Sequence, residues 1–451
     1  MTLDGPLFLY YFLPFVLGVF FLCPRAGRVW VLLGASLVYF FLADAAGMPI
    51  LVGATLGNFL LARTVDRASP RGRAGLTALG VVGNIGLLAF YKYGPLPAPL
   101  GISFFTFQAV AYLVDVKRGT TPAETSLTRF SLAMALFPKI TAGPIARFGP
   151  LLADMGKLSP TLEDFRQGAW RFAVGLAKKT LIAATLAPLA DAAFAKSGGP
   201  DMGTAWLGLV CYTAQLYFDF SGYTDMALGL GRMFGLRLPE NFDHPYISQS
   251  VREFWRRWHI SLSTWFRDYL YIPLGGSRVA PWRVRCNLLV VFTLCGVWHG
   301  ATINFLIWGL WHGLFLSVER TRLGRLLDAA PAVVRHGYAL LAVMLGWVLF
   351  RAPDLPGAWA YFQGLFSFSL DGFAYTLATG VDRAKLVALC AAVLFSLPLA
   401  GVWETCLARL AGPRQALVSG LAQTVALPLL LAAAAMQIAA GTFSPFIYAR
   451  F

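Results

Sequence analysis

The sequence predicts an all-α polytopic membrane protein, and three observations carry that prediction. Hydrophobic residues make up 57% of the 451-residue chain and charged residues only 13%, for a mean hydropathy of +0.63, whereas a soluble protein carries about a quarter charged residues. Apolar runs near the roughly 20 residues needed to cross a bilayer recur from end to end. The basic residues, finally, collect in short connections between those runs. Spans are expected near 7–23, 29–45, 48–62, 75–91, 168–194, 204–230, 302–318, 332–350, 385–402 and 417–438. Shorter apolar pieces at 101–115, 128–140 and 286–298 read as partial or re-entrant helices. The count comes to about ten to twelve spanning helices.

The first run follows a start that carries only Asp4, with no basic segment before it and no small-residue cleavage site after Phe21, so it reads as a permanent span. Arg25 and Arg28 follow it, and Arg63, Arg67, Arg71 and Arg73 follow the third span, while the connection Ala43 to Met48 has no base. The positive-inside rule then places the N-terminus outside the cytosol. Glu319 to Arg325 and Arg409 to Arg414 come out cytosolic, and the C-terminus periplasmic. The net charge of +15 is thereby a topology signal and an attraction to anionic lipid, not the basic face of a nucleic-acid binder. The six cysteines are scattered with no Cys-x-x-Cys, which implies neither a metal site nor a disulfide framework. With no long internal repeat and no low-complexity linker, residues 1–451 read as one membrane-embedded domain.

Against this apolar background three polar islands stand out. In QLYFDFSGYTDMALGLG, Asp219, Ser221, Tyr223 and Asp225 fall inside a membrane-like run. Carboxylates at such depth cost about 2.5 kcal/mol or more on insertion scales, so they face partners or a cavity. Asp219 and Asp225 either pair with arginines such as those of 252–267 or line a pathway. The second island is FWRRWHISLSTWFRDYLYIPLGG. Drawn as one helix, it places Trp255, Trp258, Leu262, Trp265 and Tyr269 on one face and Arg252, Arg256, His259, Ser263 and Arg267 on another. That pattern suits an interfacial amphipathic helix, or a polar wall on a water-filled cavity with His259 as its titratable member. The third is NLLVVFTLCGVWHGATINFLIWGLWHG, where Trp-His-Gly occurs at 298–300 and again at 311–313. The run 286–298 is too short to cross, and Gly300 suits a break, so His299 is expected deep at the junction of two helices. On one continuous helix His299 and His312 would differ by roughly 220° in azimuth and could not share a site.

Taken together, RLPENFDHPYISQSVREFWRRWHISLSTWFRDYLYIPLGG and GVWHG resemble the membrane-bound O-acyltransferase family. More narrowly they resemble its bacterial branch of alginate and peptidoglycan O-acetylation proteins and the teichoic acid D-alanyl transferase. PLGISFFTFQAVAYLVDVKRG, AGPIARF, LYFDFSGYTDMALG and the ending SPFIYARF support the resemblance, whose core covers about 98–313. It implies spanning, re-entrant and interfacial helices around a central catalytic tunnel. By the same resemblance His299 is the catalytic residue and His259 the second polar residue facing the tunnel, with Trp298, Asp219, Ser221, Tyr223, Asp225, Arg256, Ser263 and Arg267 along its walls. The implied donor is acetyl-CoA or another acyl thioester, with no bound cofactor and no metal. The implied partner is a periplasmic acyltransferase that modifies a glycan, and the implied location is a bacterial inner membrane.

O-Acyl transfer from a thioester needs a base for the acceptor hydroxyl and donors for a tetrahedral oxyanion. A neutral imidazole at His299 suits the first need; His259, Arg256 or backbone N–H groups suit the second. No Gly-x-Ser-x-Gly is present to suggest a serine-centred triad. Two alternatives remain open at this level: a lipid as acceptor, and a non-enzymatic glycan or lipid transporter. Against the transporter, such folds repeat broken helices in both halves, whereas the polar groups here cluster between 215 and 312.

Overall fold

The computed structural model describes residues 1–441 apart from 197, 400, 402–404 and 406–412. Arg409 and the ending SPFIYARF therefore lie outside the described residues. Among those residues every regular element is helical, as expected where backbone groups must be satisfied within each segment. Packing divides the chain into two compact units, Met1–Phe172 with Tyr223–Glu240, and Ala173–Gly222 with Asn241–Phe451.

The first unit holds α1 (Leu13–Leu22), α2 (Arg28–Ala43), α3 (Met48–Arg67), α4 (Pro70–Tyr93), α5 (Ile102–Arg118), α6 (Leu127–Ala135) and α7 (Phe148–Met155). It also takes the start of α8 (Leu162–Ala177). α3 and α4 carry outward leucines and valines such as Leu60, Leu79 and Val82, the face a lipid-exposed helix presents. They are joined inside by a reciprocal amide pair, Asn58 to Asn84, at 3.1 and 2.8 Å. Interhelical amides of this kind fasten helices where lipid gives no hydrophobic drive. α5 packs against both. The piece expected here as a partial helix at 101–115 is a 17-residue helix with 14 residues buried, so it is core and not lipid-facing. The piece at 128–140 becomes the short α6 followed by a looped stretch. In it Lys139, fully buried, donates to Gln108 Oε1 at 2.5 Å.

The second unit contains the rest of α8, a π-helical link Lys178–Ala183, α9 (Ala184–Phe194) and most of α10 (Met202–Met233), whose end belongs to the first unit. It continues with α11 (Val251–Arg257), α12 (Ile260–Phe266), α13 (Pro281–His299), α14 (Ile303–Val318), α15 (Arg322–Asp328), α16 (Ala332–Arg351) and α17 (Leu355–Leu365). α18 (Phe373–Gly380), α19 (Arg383–Phe395) and α20 (Pro413–Ala439) complete it. α13 and α14 form a tight antiparallel hairpin across the turn at 300–302, and α14 packs in turn on α16. Glycine sets the closeness of the hairpin. A Cβ at Gly296 would lie 2.1 Å from the Phe305 carbonyl oxygen, and one at Gly309 would lie 2.3 Å from that of Phe292.

Among the described residues, six helical segments are long and apolar enough to cross a membrane: Arg25–Ala43, Met48–Arg67, Pro70–Tyr93, Leu162–Phe194, Ala332–Arg351 and Gly420–Ala439. Phe8–Leu22 and Ile303–Val318 are shorter apolar helices. Of the ten spans expected from hydropathy, 7–23 and 302–318 fall on those shorter helices, 204–230 falls on α10, whose polar residues dilute its apolar run, and 385–402 begins on the 13-residue α19 and runs into residues outside the described ones. α13 also begins at Pro281, not at 286, so it rises about 28 Å and is no short re-entrant stub.

Candidate active site

The stretch drawn from sequence as one amphipathic helix is in fact two, α11 and α12, broken at Trp258–His259. His259 adopts φ 43° and ψ 54°, a left-handed conformation that a non-glycine residue holds at about 1–3 kcal/mol. The break turns His259 away from the arginine stripe and into the protein, where it is 1% exposed. Asn241 holds it there. Its Oδ1 lies 3.1 Å from His259 Nδ1 and accepts from Ser261 N at 3.1 Å and Ser261 Oγ at 2.9 Å. The Asn241 carbonyl accepts from Ile260 N at 2.9 Å. The Phe220 ring stands edge-on to the imidazole with centroids 4.8 Å apart. His259 lies outside the candidate spans, and burial pushes its imidazole down to about 3, so it is neutral at physiological pH.

His299 is the last residue of α13, buried at 2% exposure. Aromatic rings surround it: Trp298 at 4.8 Å, Trp308 at 5.0 Å, Phe350 at 5.1 Å and Phe305 at 6.4 Å between centroids. Trp298 also lies 6.4 Å from the His259 ring. Those two separations meet at one indole and limit the distance between the imidazole centroids to about 11 Å. The two histidines are thus brought to one place from helices far apart in sequence.

His312 is not where a continuous helix would put it. Because the chain reverses at 300–302, Trp308 stands edge-on to both His299 and His312, each at 5.0 Å between centroids. The two Trp-His-Gly triplets nevertheless do different things. His312 Nδ1 accepts from Trp255 Nε1 at 3.3 Å, and a Cβ at Gly346 would sit 2.9 Å from its Nε2, so the ring is packed on both sides. Gly300 leaves room for the Phe305 ring, and Gly313 lets α14 approach Leu289.

A cavity of about 400 Å³ opens in this unit, walled by Arg252, Arg256, Arg267 and Arg320 with Trp255, Leu262, Ser263, Phe266, Phe292 and Cys295. Ile260, next in the chain to His259, and Cys295, one helical turn before His299, line it. Arg267 pairs with Asp268 at 2.7 Å and Arg252 lies 3.9 Å from Glu319. Arg256 and Arg320 make no ion pair among the described residues. Glu319 also accepts from Val251 N at 2.6 Å and Arg252 N at 3.0 Å, tying α11 to the end of α14.

Of the site residues selected from sequence only Arg256, Ser263 and Arg267 line this cavity; His259, His299 and Trp298 lie behind its wall and the others away from it. Asp219 is buried and pairs with Lys179, a residue the sequence reading passed over, rather than with an arginine of 252–267. Ser221 is buried in the same unit. Tyr223 and Asp225 belong to the first unit: Tyr223 hydrogen-bonds Thr141, and Asp225 accepts from Arg171 at 2.9 and 3.1 Å. Asn241 was also missed, since a lone asparagine in a connecting segment has no periodicity to betray it. No cluster of histidine, cysteine or carboxylate side chains suited to a metal ion occurs among the described residues.

A family model described as MBOAT, membrane-bound O-acyltransferase family, matches residues 126–331. The chain is 39% identical to the Probable alginate O-acetylase AlgI of Azotobacter vinelandii, over 100% of both chains. It is 33% identical to the Peptidoglycan O-acetyltransferase of Helicobacter pylori, over 81% of this chain and 80% of that one. A Teichoic acid D-alanyltransferase of Bacillus subtilis is 31% identical over 46% of this chain and 55% of its own. With His299 and His259 gathered at Trp298 and relatives of this kind along its full length, the chain belongs to the membrane-bound O-acyltransferase family and is a polytopic membrane O-acyltransferase.

Proposed function

We propose that this acyltransferase takes an acyl group, acetyl in the simplest case, from a cytosolic thioester and passes it across the membrane for O-acylation of an exported polysaccharide or cell-envelope glycan. The observation that carries this reading is the convergence of two buried histidines on Trp298 beside residues that line an arginine-walled cavity. Its volume falls in the range of small-molecule sites. Guanidinium groups raise the local concentration of a phosphate-bearing donor such as acetyl-CoA, and the aromatic interior receives the thioester end.

In this reading His299 is the base for the acceptor hydroxyl, because a neutral imidazole in an apolar ring of Trp298, Trp308 and Phe350 can take a proton that water does not compete for. His259 assists at the same centre. Arg256, Ser263 and Arg267 guide the donor, while Asp219 and Asp225, engaged with Lys179 and Arg171, lock helices. No resident cofactor or metal is required. The names of these relatives support alginate or peptidoglycan as the class of acceptor. A periplasmic acyltransferase partner would complete delivery, with the enzyme in a bacterial inner membrane, its N-terminus periplasmic, and 1–451 acting as one domain. The test is acyl ester on the exported polymer in cells expressing His299→Ala at matched membrane abundance. Loss of ester supports the reading, and full ester content removes it.

A further inference from the structure

The environment of His259 selects one of its two tautomers, and the selection can be followed atom by atom. The backbone N–H of Ser261 can only donate, and it points at the Asn241 side chain at 3.1 Å. The group it meets must therefore be the carboxamide oxygen. Reversing the amide would set an NH₂ against that N–H. The orientation of Asn241 thus follows from a backbone donor, independently of any assumption about the histidine. Asn241 is fully buried, so no bulk water can take over as partner. The same oxygen lies 3.1 Å from His259 Nδ1. A carboxamide oxygen is an acceptor only, so Nδ1 carries the hydrogen.

We propose that Asn241 is a positioning residue that holds His259 as the Nδ1–H tautomer, so that Nε2 presents a lone pair to the reaction centre. The consequence narrows the role of His259, and it rests on the acyl-transfer reading given above. In a neutral imidazole one nitrogen donates and the other accepts. With Nδ1–H engaged by Asn241, Nε2 can accept a hydrogen bond from the acceptor hydroxyl or from a neighbouring donor. It cannot donate one to a tetrahedral oxyanion. Stabilisation of the oxyanion then falls to other groups, and His259 works with His299 on the proton side of the chemistry. The left-handed backbone at His259 belongs to the same device. Asn241 grips Ile260 N with its carbonyl and Ser261 with its side chain, so the turn that aims the imidazole and the bond that sets its tautomer come from one residue.

The experiment uses the full-length protein in detergent or nanodiscs, with ¹⁵N-labelled histidine rings. The chain has five histidines, and His259 is assigned by the signal pair lost in His259→Gln. The expected spectrum shows a protonated, pyrrole-type Nδ1 and an unprotonated, pyridine-type Nε2 for that residue. Asn241→Asp, which keeps the acceptor, retains this pattern; Asn241→Leu loses it and lowers kcat by about 10–100-fold with KM for the donor little changed. Ser261→Ala removes one of the other bonds to Asn241 and leaves the His259 pattern in place. A wild-type His259 protonated on Nε2 overturns the proposal, as does an unaltered tautomer in folded Asn241→Leu. Should Asn241→Leu fail to fold, the wild-type spectrum alone decides. The tautomer readout needs no turnover, so a fully active His259→Ala would remove the acyl-transfer role of His259 without touching the nitrogen assignment.

Discussion

Removing Lys179 should do more damage than removing Lys179 and Asp219 together. The two side chains are 3% and 6% exposed and bonded to each other, on the π-helical link after α8 and on α10. Replacing Lys179 by methionine takes a bonded cation away from a buried carboxylate. Breaking a buried pair from one side costs about 3–5 kcal/mol, roughly 10²–10⁴ in the folding equilibrium at a factor of ten per 1.4 kcal/mol. The double variant Lys179→Met with Asp219→Leu removes both charges of the pair, and such exchanges are neutral or stabilising by about 1–4 kcal/mol. Cysteine labelling supplies the assay. Cys211, on α10 two turns before Asp219, is buried, as is Cys295, while Cys286 and Cys390 are exposed. In extracted protein the exposed thiols should react at once and the buried ones only on unfolding. The slow phase should speed up strongly in each single variant and return to the wild-type rate in the double. Acyl transfer should return with it, because the pair fastens helices. Equal instability in the single and double variants would refute the argument from charge burial, and a stable but inactive double would give Asp219 a part in the reaction.

Further outcomes follow from the site. His299→Ala should lower acyl transfer by about 10²–10⁴-fold at unchanged membrane abundance, measured as ester on the exported polymer; His259→Ala should lower it less completely. His312→Ala should leave kcat within a few-fold and reduce thermal stability, since its bonds run to Trp255 and its packing to Gly346; a selective loss of kcat in stable protein would contradict this. Arg256→Gln with Arg267→Gln should raise KM for an anionic thioester, more so at low salt, with normal extracted yield. An unchanged KM would detach the cavity from the donor. Gly296→Ala should cost about 1–3 kcal/mol, because its methyl meets the Phe305 carbonyl, and this should appear as lower yield of folded protein.

Much of the fold and part of the site were legible in the sequence, and the division has physical causes. Hydropathy reports what the solvent of a helix must be, so the all-helical membrane class followed directly. It does not report whether an apolar helix faces lipid or protein, which is why α5 looked like a fragment and proved to be core. Helical periodicity set Arg256, Ser263 and Arg267 apart from Trp255 and Leu262, yet all five line the one cavity. It failed at His259, because a single left-handed residue resets the phase of everything after it and no helical wheel contains such a step. Ion-pair partners were illegible for a similar reason. Asp219 could be seen to need a cation, but Lys179 lies forty residues earlier, and only the packing of the π-helical link after α8 against α10 puts it there. Asn241 was silent because its work is done by one oxygen, not by a pattern.

The hairpin of α13 and α14 acts as a vernier for His299. Glycines at 296 and 309 admit carbonyl oxygens of the opposing helix at distances no other residue tolerates, so the two helices mesh at one setting. Sliding by a single residue would shift α13 by about 1.5 Å and turn it by roughly 100°, moving side chains into both notches. Intermediate heights are thereby closed to the imidazole, and drift in the flanking connections cannot reach it gradually. Insertions or deletions between Pro281 and Gly296 should consequently act as all-or-none events, while insertions in the 272–280 connection before α13 should leave the depth of His299 unchanged.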